Sequence, residues 1–336
     1  MRRVALGAAA VLGALLLLEL GLRAAGYSAP QLYQLDPQLG WSLRAAKHGW
    51  RSYHGDRGYA IINAAGFRDG DRTLDKPDPV YRIAVLGDEY SEAAPVALRD
   101  TWWWQLEAKL QYCGFRPGKL VEVLNFGVAG ANTPEHRHLV EKLLDDVHPD
   151  FILLQWYVND VEGDDSSGRP SFRPLAPFRP LHNWLNNNSA LYTVANMQWA
   201  ETQVALGMTK SYIAYLHDRF ADPGSADSVR DRELLNDLIL KTQQAHVPMG
   251  IVLFPDTAGT LDDRYPFGYL HDRVLALCSE RGITCLDLRS AFAPIKDLQT
   301  LWANRLDHHP SARANAIAAE KILETYSGVW AASLTK

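Results

Sequence analysis

Apolar runs rich in β-forming residues recur along the chain after residue 80, and amphipathic stretches separate them. The runs lie at 81–86, 121–126, 151–157, 249–254 and 283–288. Apolar residues at helical spacing fill the stretches 101–112, 134–147, 231–246, 269–280 and 311–326. Continuous apolar strands that alternate with helices are typical of a parallel sheet covered on both faces. The pattern therefore predicts an α/β fold, a three-layer α/β/α sandwich with a mainly parallel sheet.

The N-terminus carries a separate signal. A positively charged start at 1–3 precedes an apolar run at 4–22 that is broken only by Glu19, and Arg23 follows. As a helix this run is about 28 Å long, close to the thickness of a bilayer, with Glu19 near its outer end. Charges at the front favour an N-terminus inside and a body outside. A cleaved signal peptide is the alternative, since 24–26 offers small residues; both place the body extracytoplasmically, in the periplasm or at the cell surface.

The predicted organisation has three parts. Residues 1–26 form the membrane anchor or signal segment, and 27–80 an irregular lead-in packed on the domain, with a possible short strand at Ile61 and Ile62. The main domain spans 81–330. Its insertion at 161–220 begins polar and proline-rich and continues as one or two amphipathic helices from 191 onward, which could form a lid or a partner surface.

Composition excludes some functions. The 336 residues carry a net charge of −5 without a Lys/Arg cluster, so we expect no nucleic-acid partner. Three cysteines are too few for a disulfide scaffold and lack a zinc spacing. Cys278 and Cys285 either pair in an oxidising compartment or are two buried thiols. No cofactor is predicted, and the sequence does not indicate protein partners.

The run at 81–86 ends at Gly87, where the chain must turn, and Asp88 is a good cap for a helix that starts there. In open α/β sheets, chemistry lies at the carboxyl ends of strands. Gly87, Asp88 and Ser91 resemble the first block of the SGNH/GDSL hydrolases. At the position of that family's nucleophilic serine, this chain has Glu89.

Three further segments resemble the remaining blocks in family order, at 125–130, 157–160 and 307–311. The resemblance implies an SGNH, flavodoxin-like fold. It implies an oxyanion hole formed by the backbone N–H of Gly130 and the side chain of Asn159, with Asp160 in a supporting role. It also implies His309 as general base, oriented by Asp307.

The likeness covers most of the chain from about residue 36 to residue 326, and 62–69 resembles the lead-in of membrane-anchored bacterial members. The family's acid often lies three places before the histidine, where this chain has Leu306. Asp307 is two places before His309.

Glu89 changes the expected chemistry. A carboxylate is a poor nucleophile toward esters, and Glu89 is long enough to occupy the oxyanion hole and pair with protonated His309. That pairing would raise the pKa of His309, the wrong direction for a base. We therefore expect an SGNH fold with little or no serine-type esterase activity.

Three alternatives would restore activity. Ser91 could be a displaced nucleophile, although two residues along a helix turn it about 200° away. Glu89 could activate a water molecule as general base. Last, a hard cation such as Mg²⁺ or Ca²⁺ could be held by a set of acidic and histidine side chains. That set is Asp88, Glu89, Asp160, Asp307 and His309.

The resemblance and the extracytoplasmic placement together imply two functions of different class. The first is hydrolysis or transfer of O-acyl groups, most plausibly acetyl, on an envelope or exported glycan. The second is a catalytically silent glycan-binding or scaffolding subunit of an envelope polysaccharide system. Glu89 favours the second function, and the presence of Gly130, Asn159, Asp307 and His309 favours the first.

Overall fold

The structure is a computed structural model that describes residues 2–24, 32–36, 40–53, 56–73, 75–115, 120–162, 176–305 and 307–332. Its strands are β1 (Tyr33–Asp36), β2 (Gly40–Leu43), β3 (His48–Tyr53), β4 (Asp56–Ile61), β5 (Val80–Leu86), β6 (Leu120–Asn125), β7 (Phe151–Trp156), β8 (Met249–Leu253), β9 (Thr284–Asp287), β10 (Trp302–Asn304) and β11 (Asp307–Pro310). Its α-helices are α1 (Arg2–Ala24), α2 (Glu89–Glu92), α3 (Trp102–Tyr112), α4 (Thr133–Asp146), α5 (Arg179–Asn188), α6 (Ala190–Ala205), α7 (Tyr212–Phe220), α8 (Ala226–Gln244), α9 (Gly268–Arg281), α10 (Arg289–Phe292) and α11 (Ala312–Ala332).

The central sheet is parallel throughout, in the order β6-β5-β7-β8-β9. Every residue of β5, β7 and β8 is buried, which requires cover on both faces of the sheet. The cover is supplied by two helix groups, α3 with α11 and α4 with α8 and α9. The predicted three-layer α/β/α sandwich is confirmed.

This strand order places a switch point beside β5. The first strand of the sheet, β5, lies between the second, β6, and the third, β7. The chain therefore moves to one side of β5 to form β6 and then crosses to its other side to form β7. Crevices outside the carboxyl ends of strands at such a point are where open α/β sheets bind ligands. The segments that follow β5, β6 and β7 are those that the sequence singled out.

The sequence predicted an irregular lead-in. The structure instead has two antiparallel hairpins there, β1–β2 and β3–β4. Of the predicted short strand at Ile61 and Ile62, Ile61 ends β4, and Ile62 packs in a small separate core with Leu32, Leu43 and Ala60. Alternation in so short and aromatic-rich a stretch is too weak a signal to distinguish strands from turns.

The end of the lead-in is joined to the main domain by Arg68, whose side chain is only 1% exposed. Its Nη1 donates to the carbonyl oxygens of Glu92 and Ala93, both at 2.7 Å, and its Nη2 to that of Val96 at 2.6 Å. Arg68 thus donates to carbonyl groups at the C-terminal end of α2 and in the turn that follows it.

Helix α1 contains an 18-residue stretch with a mean hydropathy of 2.2 and is long and apolar enough to cross a membrane. None of its side chains is buried in the molecule. Residues 25 and 26 of the possible cleavage site, and the start of the insertion at 163–175, lie outside the described residues. From 191 onward the insertion forms two helices, α6 and α7, within the predicted one or two.

Cys278 and Cys285 form a disulfide that joins the end of α9 to the start of β9, with their Cα atoms 6.2 Å apart. The sequence left open whether these two cysteines pair or are buried thiols, and in the structure they pair. Cys113 is a free, exposed thiol.

The block at 307–311 directly precedes the final helix, whose predicted start at residue 311 agrees with the structure to within one residue. Asp307 and His309 lie on β11, which pairs antiparallel with β10, and α11 begins at Ala312. Pro310 cannot donate to a continuing ladder, which suits the end of so short a strand. Leu306 lies outside the described residues.

Candidate functional site

The turn after β5 is organised by Asp88. Its carboxylate caps α2 by accepting from the backbone N–H of Tyr90 at 2.8 Å, while its own N–H donates to Gln155 Oε1 at 3.1 Å. Burial raises the pKa of Asp88 well above its usual range, and the nearby carboxylates of Glu89 and Asp160 add to the shift. Asp88 therefore ties down the turn that presents residue 89.

Glycines allow this turn to pack closely. A Cβ on Gly87 would lie 2.4 Å from Gln155 Oε1, and one on Gly127 would lie 2.5 Å from Ser91 Cβ. Ser91 itself is fully buried, and its hydroxyl donates to Gln155 Oε1 at 2.9 Å. Its position gives no support to a displaced nucleophile, because its hydroxyl faces the sheet.

The Glu89 carboxylate is bound by the two groups expected to form the oxyanion hole. Its Oε2 accepts from the backbone N–H of Gly130 at 2.8 Å, and its Oε1 accepts from Asn159 Nδ2 at 3.3 Å. Gly130 has a φ of 76°, a left-handed conformation that favours glycine and aims its N–H at the crevice. Glu89 thus occupies the position at which the family resemblance places the oxyanion hole.

A second carboxylate, which the sequence analysis did not single out, lies beside the first. Glu92 is fully buried; its Oε2 accepts from the backbone N–H of Ala129 at 2.8 Å and its Oε1 from the hydroxyl of Tyr33 at 2.6 Å. Adjacent N–H groups of the loop after β6 therefore each bind a glutamate of α2. The i,i+3 spacing of Glu89 and Glu92 was the available signal, since such residues share one side of a helix.

His309 and Asp307 form the expected pair. His309 Nδ1 lies 2.5 Å from Asp307 Oδ1, and the backbone N–H of His309 donates to the same oxygen at 3.0 Å. Asp307 is almost fully buried, which fixes this contact. The ring of His309 lies beside that of Tyr90, with centroids 5.6 Å apart, so the block at 307–311 meets the turn after β5.

The expected pairing of Glu89 with His309 is not formed. Both residues lie in the described part of the chain, and no hydrogen bond or ion pair joins them. The reason is geometric: both carboxylate oxygens of Glu89 are held by Gly130 and Asn159 instead.

Asp160 supports the turn after β7. Its Oδ2 accepts from the backbone N–H of Tyr157 at 2.7 Å, and its Oδ1 lies 3.1 Å from His136 Nε2. Burial raises the pKa of Asp160 in spite of His136, which acts in the opposite direction. Asp88, Glu89 and Asp160 thus direct their oxygens at different partners. No three His, Cys, Asp or Glu side chains within the described ranges are placed to share a metal ion.

Aromatic rings border the crevice. Tyr90 stacks on Tyr157 with centroids 4.2 Å apart, and the Tyr157 hydroxyl donates to Asp256 at 3.2 Å. Trp302 packs against the exposed ring of His308 at 4.1 Å, one residue from His309. The crevice therefore has apolar ring faces beside its charged groups.

Comparison with known proteins adds likenesses to solved structures, whereas no protein-family model and no curated protein matches the chain. An acetyl xylan esterase, AlAXEase, is 16% identical, with a TM-score of 0.44, over 72% of this chain and 98% of that one. A catalytic mutant of Axe2, an acetylxylan esterase from Geobacillus stearothermophilus, is 18% identical, with a TM-score of 0.45, over 73% and 93%.

A lipolytic protein assigned to the G-D-S-L family, from Desulfitobacterium hafniense, is 12% identical, with a TM-score of 0.42, over 73% of this chain and 98% of that one. The chain is similar to these proteins in fold.

Proposed function

We propose that this protein is an SGNH-type envelope protein that binds O-acylated glycans, with acetyl as the acyl group, without serine-type hydrolysis. The observation that carries the proposal is the position of Glu89. A substrate carbonyl polarised for attack needs the donors of Gly130 and Asn159, and in this chain a carboxylate already accepts from both. No hydroxyl is present at position 89 to attack.

The glycan part of the proposal is supported by the surroundings of the crevice. Tyr157 and Trp302 are partly exposed aromatic side chains next to the site, and apolar ring faces are a common surface for sugar binding. The extracytoplasmic part is supported by the disulfide between Cys278 and Cys285, because such bonds persist in oxidising compartments. Helix α1 would hold the protein at the membrane.

The second candidate is an ester hydrolase that uses water directly. The contact between His309 and Asp307 favours it, because this pair has the arrangement of a general base and its orienting acid. In that case Glu89 must leave the oxyanion position when substrate binds, or act as the base itself.

The test compares hydrolysis of an activated acetyl ester by wild type, Glu89→Ser, and the double variant Glu89→Ser/His309→Ala. Wild type is expected to match the uncatalysed rate. Glu89→Ser is expected to gain at least about 100-fold, since it restores a hydroxyl beside His309, and the double variant to lose that gain. Calorimetry should show that wild type binds an acetylated oligosaccharide more tightly than its deacetylated form.

The contrary result is also well defined. Wild-type turnover that disappears in His309→Ala would establish the hydrolase and exclude a silent site. Loss of that turnover in Glu89→Gln, which keeps the shape of residue 89 but not its charge, would identify Glu89 as the base.

A further inference from the structure

The membrane-spanning candidate α1 is bonded to the insertion through Glu19. Glu19 Oε2 accepts from the Ser189 hydroxyl and from the backbone N–H of Leu191, both at 2.9 Å, and Oε1 accepts from the N–H of Ala190 at 3.0 Å. These are N–H groups at the start of α6 that have no partner within the helix, so a carboxylate there is stabilised by the hydrogen bonds and the helix dipole.

Arg23 completes the contact. Its Nε donates to Glu19 Oε1 at 2.6 Å, and its Nη2 donates to the carbonyl oxygen of Asn188, the last residue of α5. The turn between α5 and α6 therefore touches α1 through one acidic and one basic side chain. We call this set of contacts the Glu19 clamp.

The clamp sets the depth of that turn relative to a bilayer. Glu19 lies five residues before the end of α1 at Ala24, a rise of about 8 Å. If the apolar run at 4–22 fills the hydrocarbon core, Arg23 lies just beyond its outer edge, and Glu19, three residues before the end of the run, lies about 4.5 Å inside that edge, where its charge is compensated by Arg23 and the N–H groups of α6. The turn bonded to them must lie at the same level.

Helix α5 carries an apolar face beside that turn that is exposed in the described part of the structure. Leu181 and Trp184 lie on α5 and Phe178 directly precedes it; they are 55%, 59% and 57% exposed, and their spacing of three residues places them on one side of the helix. His182 Nδ1 lies 2.8 Å from the Tyr192 hydroxyl, which links α5 to α6. On α6, Trp199 is also 43% exposed.

We infer that this apolar face of α5 lies in the lipid at the outer surface of the membrane that α1 spans. The occupant is the boundary between headgroups and acyl chains, where an amphipathic helix buries its apolar side and tryptophan is favoured. The proposal requires that α1 spans the bilayer. The apolar face of α5 then forms a second membrane contact besides α1. With two contacts, the main domain has a fixed orientation relative to the bilayer.

The test uses the full chain with Cys113→Ser, reconstituted in lipid nanodiscs. Leu181→Cys and Trp184→Cys each carry an environment-sensitive fluorophore, and Tyr112→Cys, at a side chain 94% exposed on α3, is the control. Labels on α5 are expected to emit at shorter wavelength and to be quenched several-fold more by lipids with a nitroxide near the headgroup. Glu19→Ala should lower that quenching while the protein stays in the membrane.

Each other outcome overturns the proposal in a distinguishable way. Quenching at residues 181 and 184 equal to that at 112 places α5 in water. A shift that occurs only in nanodiscs holding two copies identifies a second copy of the chain as the occupant. Extraction of the protein from membranes by alkaline carbonate shows that α1 does not span the bilayer. The quenching and extraction measurements do not depend on whether the candidate site is catalytically silent.

Discussion

Glu89 Oε2 lies 2.8 Å from the backbone nitrogen of Gly130, so the first residue of α2 is bonded to the loop after β6 across the crevice. This is the point at which a hydrolase of this type would hold the oxygen of its substrate. In this chain the donor is satisfied by the protein's own side chain. An approaching carbonyl group has to displace a full negative charge to reach it.

Removal of the Glu89 carboxylate is expected to create an anion site. In Glu89→Ala the donors of Gly130 and Asn159 are left without their carboxylate, and acetate should replace it. The melting temperature of Glu89→Ala should therefore rise with acetate concentration, while that of wild type should not. Chloride at equal ionic strength is the control.

Asn159, the second donor to the Glu89 carboxylate, allows a check on this result. Glu89→Ala/Asn159→Ala lacks one of the two donors and should respond more weakly to acetate. An equal response in wild type would mean that acetate binds elsewhere and that the carboxylate of Glu89 does not fill the site.

Arg68 is expected to be essential for stability. Arg68→Met removes the side-chain donors from three carbonyl groups at and beyond the end of α2, of which only that of Ala93 is seen to keep a backbone N–H, and should cost about 3 kcal/mol or more in the free energy of unfolding. Arg99→Met, at an exposed position in the same region, should cost less than about 0.5 kcal/mol. Urea denaturation in detergent measures both. Equal losses would show that the Arg68 contacts contribute little.

Asp231 on α8 is expected to make stability depend on pH. Its Oδ1 is buried without a hydrogen-bond partner, and burial together with Asp160 raises its pKa from 3.8 to about 8, although Arg273 opposes the shift. The folded state thus holds the proton more tightly than the unfolded state. The stability contribution of Asp231 is complete below about pH 4 and is lost as the pH rises through about 8.

The measurement is the melting temperature of wild type and Asp231→Asn between pH 4 and 9. The difference between the two should grow in favour of the variant as the pH rises, because asparagine has no charge to bury. Asp263→Asn, at an exposed position, should follow wild type throughout. A constant difference between wild type and Asp231→Asn would contradict the raised pKa.

The disulfide should contribute measurably to stability. It closes a short loop with a sequence separation of 7, for which the chain-entropy estimate is about 2–3 kcal/mol. Cys278→Ala/Cys285→Ala should lose about that amount without reductant, and reduced wild type should approach the variant. Alkylation of the native protein should modify Cys113 alone; labelling of all three cysteines would show that the bond is absent.

The parallel sheet and the meeting of the four blocks could be predicted because they follow from local signals. Strands β5, β7 and β8 are apolar throughout, and a strand end followed by Gly87 and Asp88 specifies a capped turn. Parallel strands bring their carboxyl ends to one edge, and β5 and β7 are neighbours in the observed order, so Glu89 and Asn159 lie close together.

What could not be predicted depends on contacts between distant segments. Nothing local to Glu92 indicates that Tyr33 would bond to it, since the two are 59 residues apart. The direction of the Glu89 side chain was equally open, because a flexible glutamate can reach either the histidine or the oxyanion donors. Short strands such as β10 and β11 have too few residues for a periodic signal.

The hydrogen bonds that Arg68 donates near the end of α2 also indicate where the folded domain begins. A boundary drawn at Tyr81, the predicted start of the main domain, would cut away the guanidinium that binds the carbonyl groups at and beyond the end of α2. The lead-in is therefore an integral part of the folded domain and not a linker. A shortened recombinant form should retain the chain from at least Leu32, where the small lead-in core begins.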